Sequence, residues 1–394
     1  MRGLAALMVA IGHTVIVLQI DGVTNLWTTA FLDLPGLQAV IAKTVLFPAN
    51  GTAAVSLFFV LSGLVLTLSL NRTTGRWPSV AWWFFIRRII RLYPPWLVSL
   101  AVVGATIPLV LQFGPSPQDS SWFRSHYQEA WTLETWARNL ALASVTLNSV
   151  GWTLQVEFFA ALLIVCWWGI RRAVPSALTD VTLLLAIAWV SSHWNGGPLI
   201  GVFALSFYLG SLIPQIGWVV GTLYRCHPVL PSLTLVPGWI MLVTAAHLAS
   251  TVPCRVLYEA VGAAWCLTVV FESPLPSVRA ILLARPIHLL GKVSFSFYLL
   301  HFPILYVFGR VTLHWLPTQI LVNWPLLVDL TLGCVSIVFA AGLALVMFYA
   351  VERPGLNLGK QFGIRMGALP LDRANIPWIS RPGIPSVMDG SASS

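Results

Sequence analysis

Thr52-Ala53-Ala54-Val55-Ser56-Leu57-Phe58-Phe59-Val60-Leu61-Ser62-Gly63-Leu64-Val65-Leu66-Thr67-Leu68-Ser69-Leu70 is a stretch without a single charge. Roughly 20 apolar residues cross the hydrocarbon of a bilayer, so its length fits one transmembrane span. Lipid offers no partner to backbone N–H and C=O groups, which leaves the α-helix as the form such a run adopts. Nine further apolar stretches accompany it, at 3–20, 92–112, 153–169, 177–191, 199–219, 235–251, 256–272, 289–309 and 326–350. The fold class expected is therefore all-α, a polytopic transmembrane helical bundle of about ten spans.

Composition agrees. The 394 residues are 57% hydrophobic and only 9% charged, against about a quarter charged in an ordinary soluble domain. The 19 tryptophans suit a membrane interface, where the indole ring is apolar and its N–H is wet. A net charge of +9 could suggest nucleic acid, but the basic residues lie in short loops between apolar runs. That placement sets topology, so membrane lipids are expected as partners and nucleic acid is not. The 5 cysteines are scattered without a C-x-x-C pair and read as packing residues. Histidine and cysteine spacing offers no metal site. The first apolar stretch contains His13 and lacks an A-x-A-like cleavage site, so it is expected to stay as a span.

Topology follows from the basic residues. With the N-terminus in the cytosol, one side collects Arg2, Arg72, Arg76, Arg87, Arg88, Arg91, Arg171, Arg172, Arg225, Arg279, Arg285, Lys292 and the basic tail from Arg353 to Arg381. The other side holds only Lys43, Arg124, Arg138, Arg255 and Arg310. The positive-inside rule then places both termini in the cytosol. The longest polar connection, 113–152, falls on the non-cytosolic side as a structured cap. A membrane-embedded domain is expected over 1–354, followed by a largely disordered tail over 355–394 that is rich in Pro and Gly.

Ionisable groups inside spans are costly and are functional candidates. Arg2 and His13 are eleven residues apart, which leaves them only about 20° out of phase on one helix face and about 16 Å apart in rise. An imidazole near the midplane can act as a general base; it can equally be a histidine bonded to a neighbouring carbonyl. Arg88 and Arg91 lie one turn apart at the mouth of a span. Guanidinium pairs grip phosphates bidentately, although a positive-inside anchor explains them as well. Glu157, inside a span, needs a proton or a partner: a histidine, an alcohol substrate or a structural ion pair. Ser294, Tyr298 and His301 share one helix face and form a polar stripe facing a cavity. His301 alone also fits a packing role. Glu352-Arg353-Pro354 closes the last span. No nucleotide-binding, hydrolase-elbow or zinc-protease signature is present. On these residues, an enzyme stands beside a transporter or flippase with a midplane His/Glu path.

Six stretches taken in order resemble the acyltransferase 3 family of membrane O-acyltransferases. They are Arg2-Gly3-Leu4-Ala5-Ala6-Leu7 leading to His13, Ser56 through Gly63, Phe85 through Pro94, Trp152 through Glu157, Ser296 through His301 with Pro303, and Glu352-Arg353-Pro354. Met1 directly precedes Arg2, where family members carry a few residues, one of them acidic. The resemblance implies an acyl-CoA co-substrate, expected to be acetyl-CoA, with no tightly bound cofactor. It implies transfer to a hydroxyl of a small natural product, lipid or carbohydrate. It assigns His13 and Glu157 to catalysis and Arg2, Arg88 and Arg91 to donor binding. Trp152, Tyr298 and His301 are further candidates. The expected location is an internal, endoplasmic-reticulum-type membrane or the plasma membrane; a bacterial inner membrane is compatible.

Overall fold

A computed structural model describes residues 1–73, 76–194, 199–227, 229–248, 251–273 and 275–365. Among them the structure is helical, without strands: α1 (Arg2–Thr14), α2 (Leu37–Leu46), α3 (Gly51–Leu70), α4 (Trp77–Leu111), then the short α5 (Ser121–Arg124) and α6 (Leu133–Leu140). There follow α7 (Trp152–Ala173), α8 (Ala177–Ser192), α9 (Ile200–Cys226), α10 (Leu230–Leu248), α11 (Val252–Glu272) and α12 (Pro276–Leu283). The last are α13 (Arg285–Trp315), α14 (Thr318–Asn323), α15 (Pro325–Met347), a π turn Phe348–Glu352 and α16 (Arg353–Arg365). Starts are set by side chains that accept the free N–H groups of the first turn. Asn50 caps Thr52 and Ala53, Ser176 caps Thr179, and Thr251 caps Cys254 ahead of Pro253.

Seven stretches among the described residues are long and apolar enough to cross a membrane: Leu37–Leu70, Trp77–Leu111, Ser149–Ala173, Ile200–Gly217, Val252–Glu272, Arg285–Trp315 and Pro325–Gly359. The other three expected spans are helical but shorter in their apolar part. The 177–191 and 235–251 stretches correspond to Ala177–Ser192 and Leu230–Ala245. The 3–20 stretch is the clearest difference: the helix stops at Thr14. The apolar residues that follow are buried in irregular backbone, with Val15 and Val17 wholly inside. That backbone is satisfied by the cap and by α15. Leu18 N donates to Asp329 Oδ2 (3.3 Å), Gln19 N to Gln118 O (2.9 Å) and Ser120 N to Val17 O (3.0 Å). Non-helical backbone at this depth is tolerated because protein surrounds it. At the other end the helix runs past 355 to Arg365; residues 366–394 of the expected tail lie outside the described residues.

The centre of the bundle is α3, packed against α9, α11, α1 and α7. Small residues set its closest approach: a Cβ on Gly210 would land on Val60 O, and one on Gly63 on Phe207 O. Lipid tails are as apolar as side chains, so helices in a bilayer associate through such close backbone contact. Gly210→Leu should therefore cost about 1–3 kcal/mol and lower the thermal midpoint of detergent-solubilised protein followed by size exclusion. Gly342→Leu, where a Cβ meets nothing within 4 Å, should leave the midpoint unchanged.

Candidate active site

Because α1 ends at Thr14, His13 sits on its last turn, facing α13. His13 Nδ1 lies 3.1 Å from His301 Nε2, and His301 Nδ1 lies 2.7 Å from Tyr298 O. A carbonyl oxygen only accepts, so His301 Nδ1 carries the hydrogen. In a neutral imidazole its Nε2 is then an acceptor. His13 Nδ1 must donate to it, which leaves His13 Nε2 with a bare lone pair. Two histidines far apart in sequence thus form a chain that fixes the tautomer of the first.

Next to this chain, toward the N-terminal ends of α1 and α13, a cavity of about 450 Å³ including its mouth opens between α1, α3, α7 and α13. Arg2, Glu157, Thr153, Ser294 and Tyr298 supply polar lining; Val55, Phe58, Phe59, Leu154 and Phe295 supply the rest. Tyr298 joins cavity to histidines: its side chain lines the space, its ring centroid is 5.5 Å from that of His301, and its carbonyl holds that histidine.

The third part is charged. Arg88 and Glu157, both largely buried, meet at 2.7 Å. Arg2 is within electrostatic reach of Arg88, Arg91, Glu157 and Glu352. Glu352 is 3% exposed and accepts from Ser296 Oγ at 2.9 Å. Even so, the Nε–H groups of Arg88 and Arg91 are out of solvent without a hydrogen-bond partner.

The structure therefore brings Arg2, Arg88, Arg91 and Glu157 into one cluster, and His13, His301 and Tyr298 into another, joined by the cavity. Of the partners open to Glu157, the structure shows the ion pair, with Arg88, and it is a second histidine that faces His13. Trp152 packs among Phe59 and Phe203, at 6.0 and 5.4 Å between ring centroids, and lines no part of the cavity. Two contributors were not foreseen. Trp122 packs beside His13, with ring centroids 4.9 Å apart and the planes tilted by 38°. His126 donates from Nδ1 to Trp122 O at 2.8 Å, and burial pushes it below the usual histidine range. Both come from the cap, which has no periodicity to mark them. Glu352 was read only as a helix end; its π turn carries it inward.

Removing one partner of a buried ion pair strands the other charge. Glu157→Ala should destabilise the protein by about 3–5 kcal/mol, with most of the loss recovered when Arg88→Met is added. A double-mutant cycle on unfolding in detergent measures both.

The family model described as an acyltransferase domain, Acyl_transf_3, matches residues 1–346. A curated relative, the acyltransferase MdmB of Streptomyces mycarofaciens, is 23% identical over 273 residues, covering 65% of this chain and 68% of the relative. No solved structure matches the chain.

Proposed function

Because the chain belongs to the acyltransferase 3 family and is an acyltransferase, we propose that it works in the membrane as an O-acyltransferase, moving an acetyl group from acetyl-CoA to a hydroxyl of a small natural product, lipid or carbohydrate. It is a membrane protein; the proposal takes it as ten spans with both termini cytosolic, in a plasma or internal membrane. The observation that carries the chemistry is the chain from Tyr298 C=O through His301 to His13. It leaves His13 Nε2 ready to accept a proton.

In this reading the donor's anionic part is held at Arg2, Arg88 and Arg91, whose charge exceeds that of Glu157 and Glu352. The unpartnered Nε–H groups of Arg88 and Arg91 are donors a phosphate or carbonyl oxygen would fill. The acyl end enters the cavity. His13 Nε2 takes the proton of the acceptor hydroxyl as its oxygen attacks the thioester carbonyl. The C–S bond then breaks, and the imidazolium returns the proton to the leaving thiolate, giving an ester and the free thiol. Glu157 serves by holding Arg88. The transporter reading gives way because the ionisable groups it needs are tied to one another across the bundle.

The test is acyl transfer from radiolabelled acetyl-CoA by purified protein, with thiol release followed in parallel. His13→Ala should lower transfer by about 10²–10⁴-fold while donor binding is kept. His301→Ala should lower kcat with the donor KM unchanged, because it releases the tautomer without touching the arginines. Full transfer by His13→Ala would overturn the proposal.

A further inference from the structure

Pro303 sits inside α13, which runs on past it to Trp315. Proline has no N–H, and its ring crowds the carbonyl four residues back. In α13 that carbonyl belongs to Leu299, so the helix withholds the bond that Leu299 C=O would otherwise accept. A buried carbonyl left unpaired is costly. The partner comes from another element: Asn148 Nδ2 donates to Leu299 O at 3.0 Å. The turn 299–303 contains His301 and directly follows Tyr298, whose carbonyl holds His301.

Asn148 is 0% exposed, and its neighbours settle which way the amide points. Nδ2 also lies 3.2 Å from Ser99 Oγ, and the Ser99 hydroxyl donates to Trp96 O at 2.8 Å. The one hydrogen of Ser99 is thus spent, so Asn148 presents its NH2 to both oxygens. A flipped amide would set Oδ1 against the Leu299 carbonyl, acceptor against acceptor. As it stands, Asn148 Oδ1 is buried without a hydrogen-bond partner, while both Nδ2 hydrogens are engaged. Ser99 lies on α4, which carries Arg88 and Arg91. Leu299 lies on α13, which carries His301. Asn148 itself leads through the turn Ser149–Gly151 into α7, which carries Glu157. Three elements that build the site meet at one side chain, which is not part of the cavity lining.

We propose that Asn148 is a positioning residue for the histidine pair. By supplying the donor that Pro303 lacks, it fixes the turn of α13 from which His301 Nε2 meets His13 Nδ1. This rests on the acyl-transfer reading, in which His301 orients the base His13.

The test reads histidine geometry apart from turnover. Protein carrying nitrogen-15-labelled histidine is placed in lipid nanodiscs, and its imidazole nitrogens are observed by NMR at mildly alkaline pH. Signals of the pair are those missing from His13→Ala and His301→Ala. In the parent both rings should show a protonated Nδ1 and a bare Nε2. Asn148→Ala should turn them into mixtures of tautomers and lower kcat about 10–10²-fold, with the donor KM unchanged. Unchanged signals, or an unchanged kcat, in folded Asn148→Ala would overturn the proposal. Pro303→Ala returns an N–H to Leu299 O. In that background Asn148→Ala should therefore lower the thermal midpoint by much less than it does alone. Equal drops in both backgrounds would make Asn148 a cap anchor only and would defeat the proposal. Should Asn148→Ala alone not fold, Pro303→Ala is expected to rescue it, and failure to rescue counts against the proposal equally. No transfer by the parent, with the tautomer response intact, would sink the acyl-transfer reading and leave the positioning role standing.

Discussion

The ion pair between Arg88 and Glu157 is the contact on which the arrangement of the site depends. Neither charge could sit alone inside an apolar bundle, so each fixes the other. Joining them locks the rotation of α4 against α7. That rotation turns Arg91, one turn on, toward Arg2 and Glu352, and it presents Thr153 and Leu154 to the cavity. With Arg2 added, three cations face two carboxylates. The cluster therefore keeps a surplus of positive charge and unused N–H donors next to the cavity.

A second constraint lies where α1 breaks. Had the helix continued through its apolar sequence to residue 20, its last turns would have filled the space the cap occupies. Instead Asp329, fully buried in α15, accepts the amide of Leu18, and Ser120 donates twice to the same segment, from Oγ to Ile16 O and from N to Val17 O. Asp119, next to Ser120, is itself held by Arg310 at 2.7 Å, whose guanidinium lies over the rings of Phe123 and Tyr306. The cap is thereby docked onto the bundle by buried, paired charges. The break leaves His13 at the junction of bundle and cap, within reach of both.

The helices were legible because lipid imposes a length and a polarity on each span, and a run such as 52–70 meets both. The shared face of Ser294, Tyr298 and His301 was legible for a related reason, since helical periodicity relates residues on one element. What periodicity cannot do is relate residues on different elements. Glu157 carried the signature of a buried carboxylate, yet nothing in the chain says whether an arginine on α4 or a histidine on α1 lies opposite. His13 and His301 were each visible as candidates and invisible as a pair. The end of α1 was missed because residues 15–20 are as apolar as a span, and only tertiary contacts decide that they bend. Trp122 and His126 lie in a connection whose conformation follows from docking, so their sequence holds no repeat to read.

One helix ties these levels together. Along α13, Ser296 holds Glu352, Tyr298 lines the cavity, His301 orients His13, Phe302 faces the cap and Arg310 anchors it. At about 1.5 Å per residue, Ser296 and His301 are separated by about 7–8 Å of rise, and Ser296 and Arg310 by about 21 Å. These separations come from covalent geometry and backbone hydrogen bonds, which yield far less than packed side chains do. The charged cluster and the histidine pair are therefore held at a fixed separation along one helix. In the proposed reading, one helix that carries side chains of the charged level, the histidine pair and the edge of the cap would supply the alignment that two reactants need.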